Sequence, residues 1–164
     1  MRLHDVVIHE ADAVRIDAVL RRFLADAGGA AALLIDRSGQ PLAEAGTART
    51  LDVGSIGALA AAAFSSTAAL ARLLGESEFS VLFHEGQRDH IHISIVAKRA
   101  ILLVIFDERS SLGLVRLRVK RANQELEQIF EDMLKKGERS TGPVAPASPF
   151  AEITDEDIDA LFSE

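Results

Sequence analysis

The chain has no cysteine, no tryptophan and no tyrosine. Without thiols it cannot build a disulfide scaffold, a thiolate zinc site, a cysteine nucleophile or a cysteine-linked lipid anchor. Eight phenylalanines are its whole aromatic supply, a poor stock for platforms that stack nucleobases. Positive charge is also short. There are 18 Lys and Arg against 25 Asp and Glu, a net charge of −7, which argues against nucleic acid or an anionic membrane as partner. No unbroken apolar run is longer than Ala100–Phe106, far short of a membrane span. The first residues, Met1 to Asp5, lead into Glu10 and Asp12 with no apolar stretch of the signal-peptide kind, so the expectation is a cytoplasmic protein. No P-loop, G-x-S-x-G or H-E-x-x-H motif is present.

What is present is a chain of 164 residues, 48% hydrophobic and 26% charged, the composition of one globular domain. Its few prolines are grouped: three of the four fall in residues 137–149, a Pro, Ser and Gly stretch that reads as a semi-extended linker. Residues 150–164 then carry Glu152, Asp155, Glu156, Asp157, Asp159 and Glu164 and no base, most of the net charge. The expected organisation is a nearly neutral domain over 1–136, a linker over 137–149 and an acidic tail over 150–164.

Within the domain, Val14, Val19, Leu20, Phe23 and Leu24 recur at helical spacing, predicting a helix over 10–26 that ends at Gly28-Gly29. Ala31–Ile35, a turn at Asp36-Arg37-Ser38-Gly39, and Pro41–Ala45 read as a hairpin. An alanine-rich helix follows over 53–74, closed by Gly75. Phe79–Phe83, His90–Val96 and Ala100–Phe106 are strand-like, with short connections that favour antiparallel neighbours. The last is apolar throughout and belongs at the centre of a sheet; the first is short and belongs at an edge. A final helix is expected over 112–135, capped by Ser110 or Ser111. The order α-β-β-α-β-β-β-α is α+β: a five-stranded antiparallel sheet covered by three helices.

The alanine-rich helix divides into two faces on a helical wheel. Ile56, Leu59, Ala63, Leu70 and Leu74 form one stripe, expected to pack on the sheet. The opposite face holds Ala58, Ala61, Ala62, Ser65, Ala69 and Arg72. A surface helix usually puts long polar side chains outward, whereas small ones let another backbone come close. Alanine's helix propensity alone also accounts for such a composition. The final helix has an apolar seam, Leu112, Val115, Val119, Ala122, Leu126, Ile129 and Met133, as any long helix on a sheet would. Its first half is basic, with Arg116, Arg118, Lys120 and Arg121, either a solvated face or one that steers an acidic partner.

In the tail, Thr154 to Asp157 resembles a helix-capping box, and Ile158, Leu161 and Phe162 fall on one helical face, preceded by Phe150 and Ile153. So short a helix does not hold alone in water, but it can fold into a partner's groove. His90 and His92 share a strand face, with His84 nearby, but strand alternation explains this as well as a metal site does, and no acidic cluster completes one. Neither a cofactor nor a catalytic centre of its own is expected; the residues describe an interaction module.

The element order resembles the Roadblock (dynein light chain) family. The segments Leu34–Gln40, Leu73–Phe79, Phe83–Gly86 and Phe106–Arg118 are similar to its MglB branch, and the tail Pro149–Glu164 to myxobacterial members of that branch. The resemblance implies a profilin-like fold and a homodimer joined through the second helix and the strand after it, with the sheet continuing across both chains. It implies a partner, the Ras-like GTPase MglA, bound as one GTPase per two chains and stimulated to hydrolyse GTP in the control of cell polarity and gliding motility, and a location concentrated at a cell pole. The GTPase supplies its own catalytic Arg and Gln, so no arginine finger is called for, and Arg72 is not one. The face toward the GTPase would comprise Ala61, Ala62, Phe64, Ser65, Ala68, Ala69 and Arg72, with Lys120 adding contact or steering. Ser65 stands where Ala or Gly would be expected and keeps the face small. The tail would dock through Phe150, Ile153, Ile158, Leu161 and Phe162, promoting nucleotide exchange or strengthening the complex. A scaffold of the same fold without an activating effect is the alternative.

Overall fold

A computed structural model describes residues 2–3 and 6–140. Two short strands, β1 (Arg2–Leu3) and β2 (Val6–Val7), pair antiparallel ahead of the predicted elements and were not foreseen from the sequence. Then come α1 (Glu10–Ala27), β3 (Ala31–Asp36), β4 (Pro41–Gly46), a 3-10 turn (Thr47–Thr50), α2 (Val53–Leu73), β5 (Val81–His84), β6 (His90–Val96), β7 (Ala100–Phe106) and α3 (Leu112–Ser140). Strands β3 to β7 form one antiparallel sheet in the order β4-β3-β7-β6-β5. The apolar β7 is central and the short β5 is an edge, as their sequences require.

The alternation of strand side chains sorts the core into two layers. Leu34 of β3 and Leu102, Val104 and Phe106 of β7 face α1 and α3, packing with Leu20, Phe23, Leu126 and Phe130. Leu33, Ile35, Ile93, Ile101 and Leu103 face the other way, onto Ala60, Ala61 and Phe64 of α2. A strand covered on both sides needs apolar residues at every position, which explains the unbroken run of β7.

Local chemistry fixes the ends. Gly28, left-handed at φ 63°, closes α1 with its N–H donating to the Leu24 carbonyl. Asp36 Oδ1 accepts from the Ser38 and Gln40 amides at 2.8 and 2.9 Å, shaping the β3–β4 turn. Asp52 caps α2 by accepting from the Ser55 amide at 3.1 Å and its hydroxyl at 2.6 Å. Of the two serines expected to cap α3, Ser111 does so, accepting from the Leu114 amide at 3.2 Å, while Ser110 donates to the Ala27 carbonyl at the end of α1. The helix α3 continues to Ser140, so the first four residues of the stretch read as a linker are helical. The rest of that stretch and the whole acidic tail, with Phe150, Ile153, Ile158, Leu161 and Phe162, lie outside the described residues.

Candidate partner-binding surface

The placement of α2 rests on small residues. Gly39, at φ 94°, lies against the first turns of the helix; a Cβ there would sit 2.8 Å from Cα of Ala58, and one on Gly57 would collide with the Gly39 carbonyl oxygen. This glycine pair brings the N-terminal part of α2 down onto the β3–β4 turn. From there Gly57, Ala60, Ala61, Phe64 and Ala71 form the buried side of the helix.

That contact corrects the expectation for α2. The leucine stripe does not pack on the sheet: Leu59 is 70% exposed, Leu70 50% and Leu73 84%. Small residues on the inward side allow a closer helix–sheet approach than leucine does. The helix therefore has three sectors. One faces the sheet. A second flank carries Leu59, Ala63, Leu70 and Leu74, with Leu73 beside it. The third carries Ala58, Ala62, Ser65, Ala69 and Arg72, all exposed. By length and composition α2 could cross a membrane, yet it lies on the sheet with Asp52 at one end and Arg72 in its last turn.

Of the residues expected to meet a GTPase, Ala62, Ser65, Ala69 and Arg72 share the exposed flank, and Ala68 is half-buried at its border. Ala61 is 7% exposed and Phe64 1%, both in the core beneath the helix. A groove of about 230 Å³ runs along this flank, lined by Arg37, Ala61, Phe64, Ser65, Ala68, Arg72 and Ile101. Arg37, on the β3–β4 turn, is paired with Glu78 beyond the end of α2. Sequence reasoning missed Arg37 because only the fold brings this turn to the helix. Lys120 sits on α3, across the sheet from α2, so one protomer does not bring it to this groove.

On the α2 side of the sheet the cover is only partial: Leu82, Ile91, Ile95 and Ile105 are half-buried. The edge strand β5 runs along this side, with Val81 exposed. The exposed leucines of α2 and these half-buried apolar positions thus belong to the same layer of the protomer, and the sheet in that layer ends at the edge strand β5.

His84 does not converge with His90 and His92. His84 pairs in register with Ile91, while His92 pairs with Phe83, so His84 and His92 point to opposite faces of the sheet. The His90 ring packs on Phe83 and Phe106, 6.1 and 5.3 Å between centroids, and its Nδ1 accepts from the Gly86 amide at 3.3 Å. His92 is buried, and burial, with Arg116 adding to it, holds its pKa below the ordinary imidazole value, so it stays neutral.

Comparison with known proteins agrees with this architecture. Residues 15–106 match the family model described as the Roadblock/LC7 domain. The fold is similar to that of Myxococcus xanthus MglB, with 42% identity and a TM-score of 0.73, over 78% of this chain and 96% of that one. It is likewise similar to the gliding protein MglB of Thermus thermophilus, with 34% identity and a TM-score of 0.73, over 78% of this chain and 97% of that one. An MglB solved in a tetrameric arrangement matches with 34% identity and a TM-score of 0.73, over 79% of this chain and 97% of that one. The matched domain, the five-stranded sheet and the three helices place the chain in the Roadblock/LC7 family.

Proposed function

We propose that the protein is a homodimeric regulator of a Ras-like GTPase of the MglA type, accelerating GTP hydrolysis by ordering the GTPase's switch loops. The observation that carries this reading is the division of α2. One flank is exposed leucine, in a layer whose sheet face is half open, which suits a second copy of the chain; the other is exposed Ala and Ser, which suits a closely approaching backbone. Pairing through α2 and β5 would cover the leucines and continue the sheet into the partner. The small-residue flanks of two copies would then form one broad face for one GTPase.

Chemistry at this face is positioning. Ala62 and Ala69 carry no reactive group, and the groove lining beside the Ser65 hydroxyl (Arg37, Ala61, Phe64, Ala68, Arg72 and Ile101) holds no carboxylate or imidazole to activate it. Holding the GTPase's own catalytic Arg and Gln in the productive arrangement lowers the barrier without a donated side chain. Arg72 rims the groove in this reading and contributes contact. The C-terminal tail adds a second attachment away from the nucleotide, through Phe150, Ile153, Ile158, Leu161 and Phe162, and promotes exchange or holds the complex together. The setting is the control of cell polarity and gliding motility, with the protein in the cytoplasm and concentrated at a pole.

Single-turnover GTP hydrolysis by an MglA-type GTPase, followed at increasing concentrations of the full chain, tests the reading. A saturating acceleration is expected. Binding without acceleration would leave a Roadblock scaffold and remove the activating role.

A further inference from the structure

The first half of α3 carries an unbalanced cationic face. From Leu112 to Gln124 there are four basic residues and no acid. The first turn of α3 lacks the acidic residues that a helix N-terminus favours. Among the described residues Arg116, Arg118 and Lys120 have no carboxylate partner, although other surface arginines do: Arg15 with Asp132, Arg21 with Asp17, Arg22 with Glu125. Arg121 pairs with Glu125. Among the described residues the buried Nε of Arg118 meets no acceptor, and the residue lines the hollow between α1 and α3. An apolar side chain stands among these cations: Leu117 is 63% exposed. Arg116 and Lys120, without a carboxylate partner among the described residues, stand with Leu117 and Arg121 on the outer side of the helix, an arrangement that suits an acidic, amphipathic segment.

The same chain carries one. Residues 150–164 hold six acids and no base, with Ile158, Leu161 and Phe162 at helical spacing. We propose that this tail folds back along α3 of its own chain, its acids against Arg116, Lys120 and Arg121 and its apolar residues against Leu117. The reach allows it. From Arg121 to the last described turn at Ser140 the helix measures about 28 Å at about 1.5 Å per residue. Residues 141–149, including Pro143, Pro146 and Pro149, span about the same distance at about 3.1 Å per residue. Phe150 can therefore reach as far as Arg121, and with a less extended linker a tail running antiparallel to α3 brings Ile158, Leu161 and Phe162 to the level of Leu117. The other open hollow near the end of α3 suits the tail less well, because Glu78, Glu127 and Glu131 line it together with Lys98 and Arg99.

The contact makes α3 a holding site for the tail. A partner that binds the tail must first displace it, so the cationic ridge sets how readily the tail is offered. This is a property of the free protein and is measured without any GTPase, so it can fail while the proposed activation holds, and the reverse.

The test is zero-length carbodiimide cross-linking of the full chain, which joins lysine amines to touching carboxylates, on an equal mixture of unlabelled and nitrogen-15 protein. Mass spectrometry should find Lys120 joined to tail acids between Glu152 and Asp159 in peptides of a single isotope. That product should fall several-fold near about 1 M salt, where the screening length is about 3 Å. It should also fall in Arg116→Glu. Should Arg116→Glu misfold, Leu161→Ser with Phe162→Ser gives the same reading while leaving the domain untouched. Tail acids joined only to Lys135 and Lys136, Lys120 products only between isotopes, or products indifferent to both salt and substitution would each overturn the proposal.

Discussion

Phe64 was expected at the flank of a partner face and lies instead among the fully buried side chains of the core. Two roles are thereby separated. Phe64→Ala should cost about 3–5 kcal/mol of unfolding free energy, the usual range for emptying a phenylalanine site, seen as a lower urea midpoint. Ser65→Ala, one residue along and exposed, should leave that midpoint within about 0.5 kcal/mol. Asp52 gives a pH signature. The Ser55 hydroxyl, then its amide, holds the Asp52 carboxyl below its ordinary 3.8. A depressed carboxylate stabilises the fold fully above its unfolded pKa and loses that contribution as pH falls through the folded one. Comparing melting temperatures of the native chain and Asp52→Ala from about pH 6 down to about pH 2 should show the native advantage shrinking as the acid protonates. An advantage that grows toward acid would contradict the cap. The wheel for α2 correctly separated leucines from small residues. It erred in sending the leucines inward, because burial by hydrophobicity alone ignores how closely glycine and alanine let a helix approach a sheet.

At the scale of elements, β6 and β7 begin and end where their sequences put them, and α1 extends one residue beyond its predicted span. Long periodic or continuously apolar segments state their type plainly. The pair β1–β2 was missed because two-residue strands have no period to read. The helix α3 runs past its predicted end and through Gly137, because a single glycine lowers helix propensity by only about 1 kcal/mol. The leucine flank of α2 has its own consequence. Leu70→Asp with Leu73→Asp changes two exposed positions, so the protomer should fold, yet the pair of chains should come apart. Light scattering should then report the mass of one chain where the native protein gives at least two. A native protein that is already monomeric would contradict the assignment of this flank to a second copy.

Across the whole molecule, the fold class, the β3–β4 hairpin and the β5-β6-β7 run are legible because short connections state their own pairing, whereas the β3–β7 pairing that links the two joins strands far apart in sequence. The surface was less legible. Which flank of α2 meets the sheet, where Arg37 comes to rest, and the separation of Lys120 from α2 all depend on contacts between residues distant in sequence. The central claim is that the small-residue flank, used by two chains at once, activates a GTPase. The most direct measurement is a single-turnover hydrolysis titration of an MglA-type GTPase with the native chain and with Ala69→Arg. The native curve should saturate at two chains per GTPase. Ala69→Arg, folded and dimeric but with a long cation on the flank, should give no acceleration at any concentration. Full acceleration by Ala69→Arg would place the activating face elsewhere on the molecule.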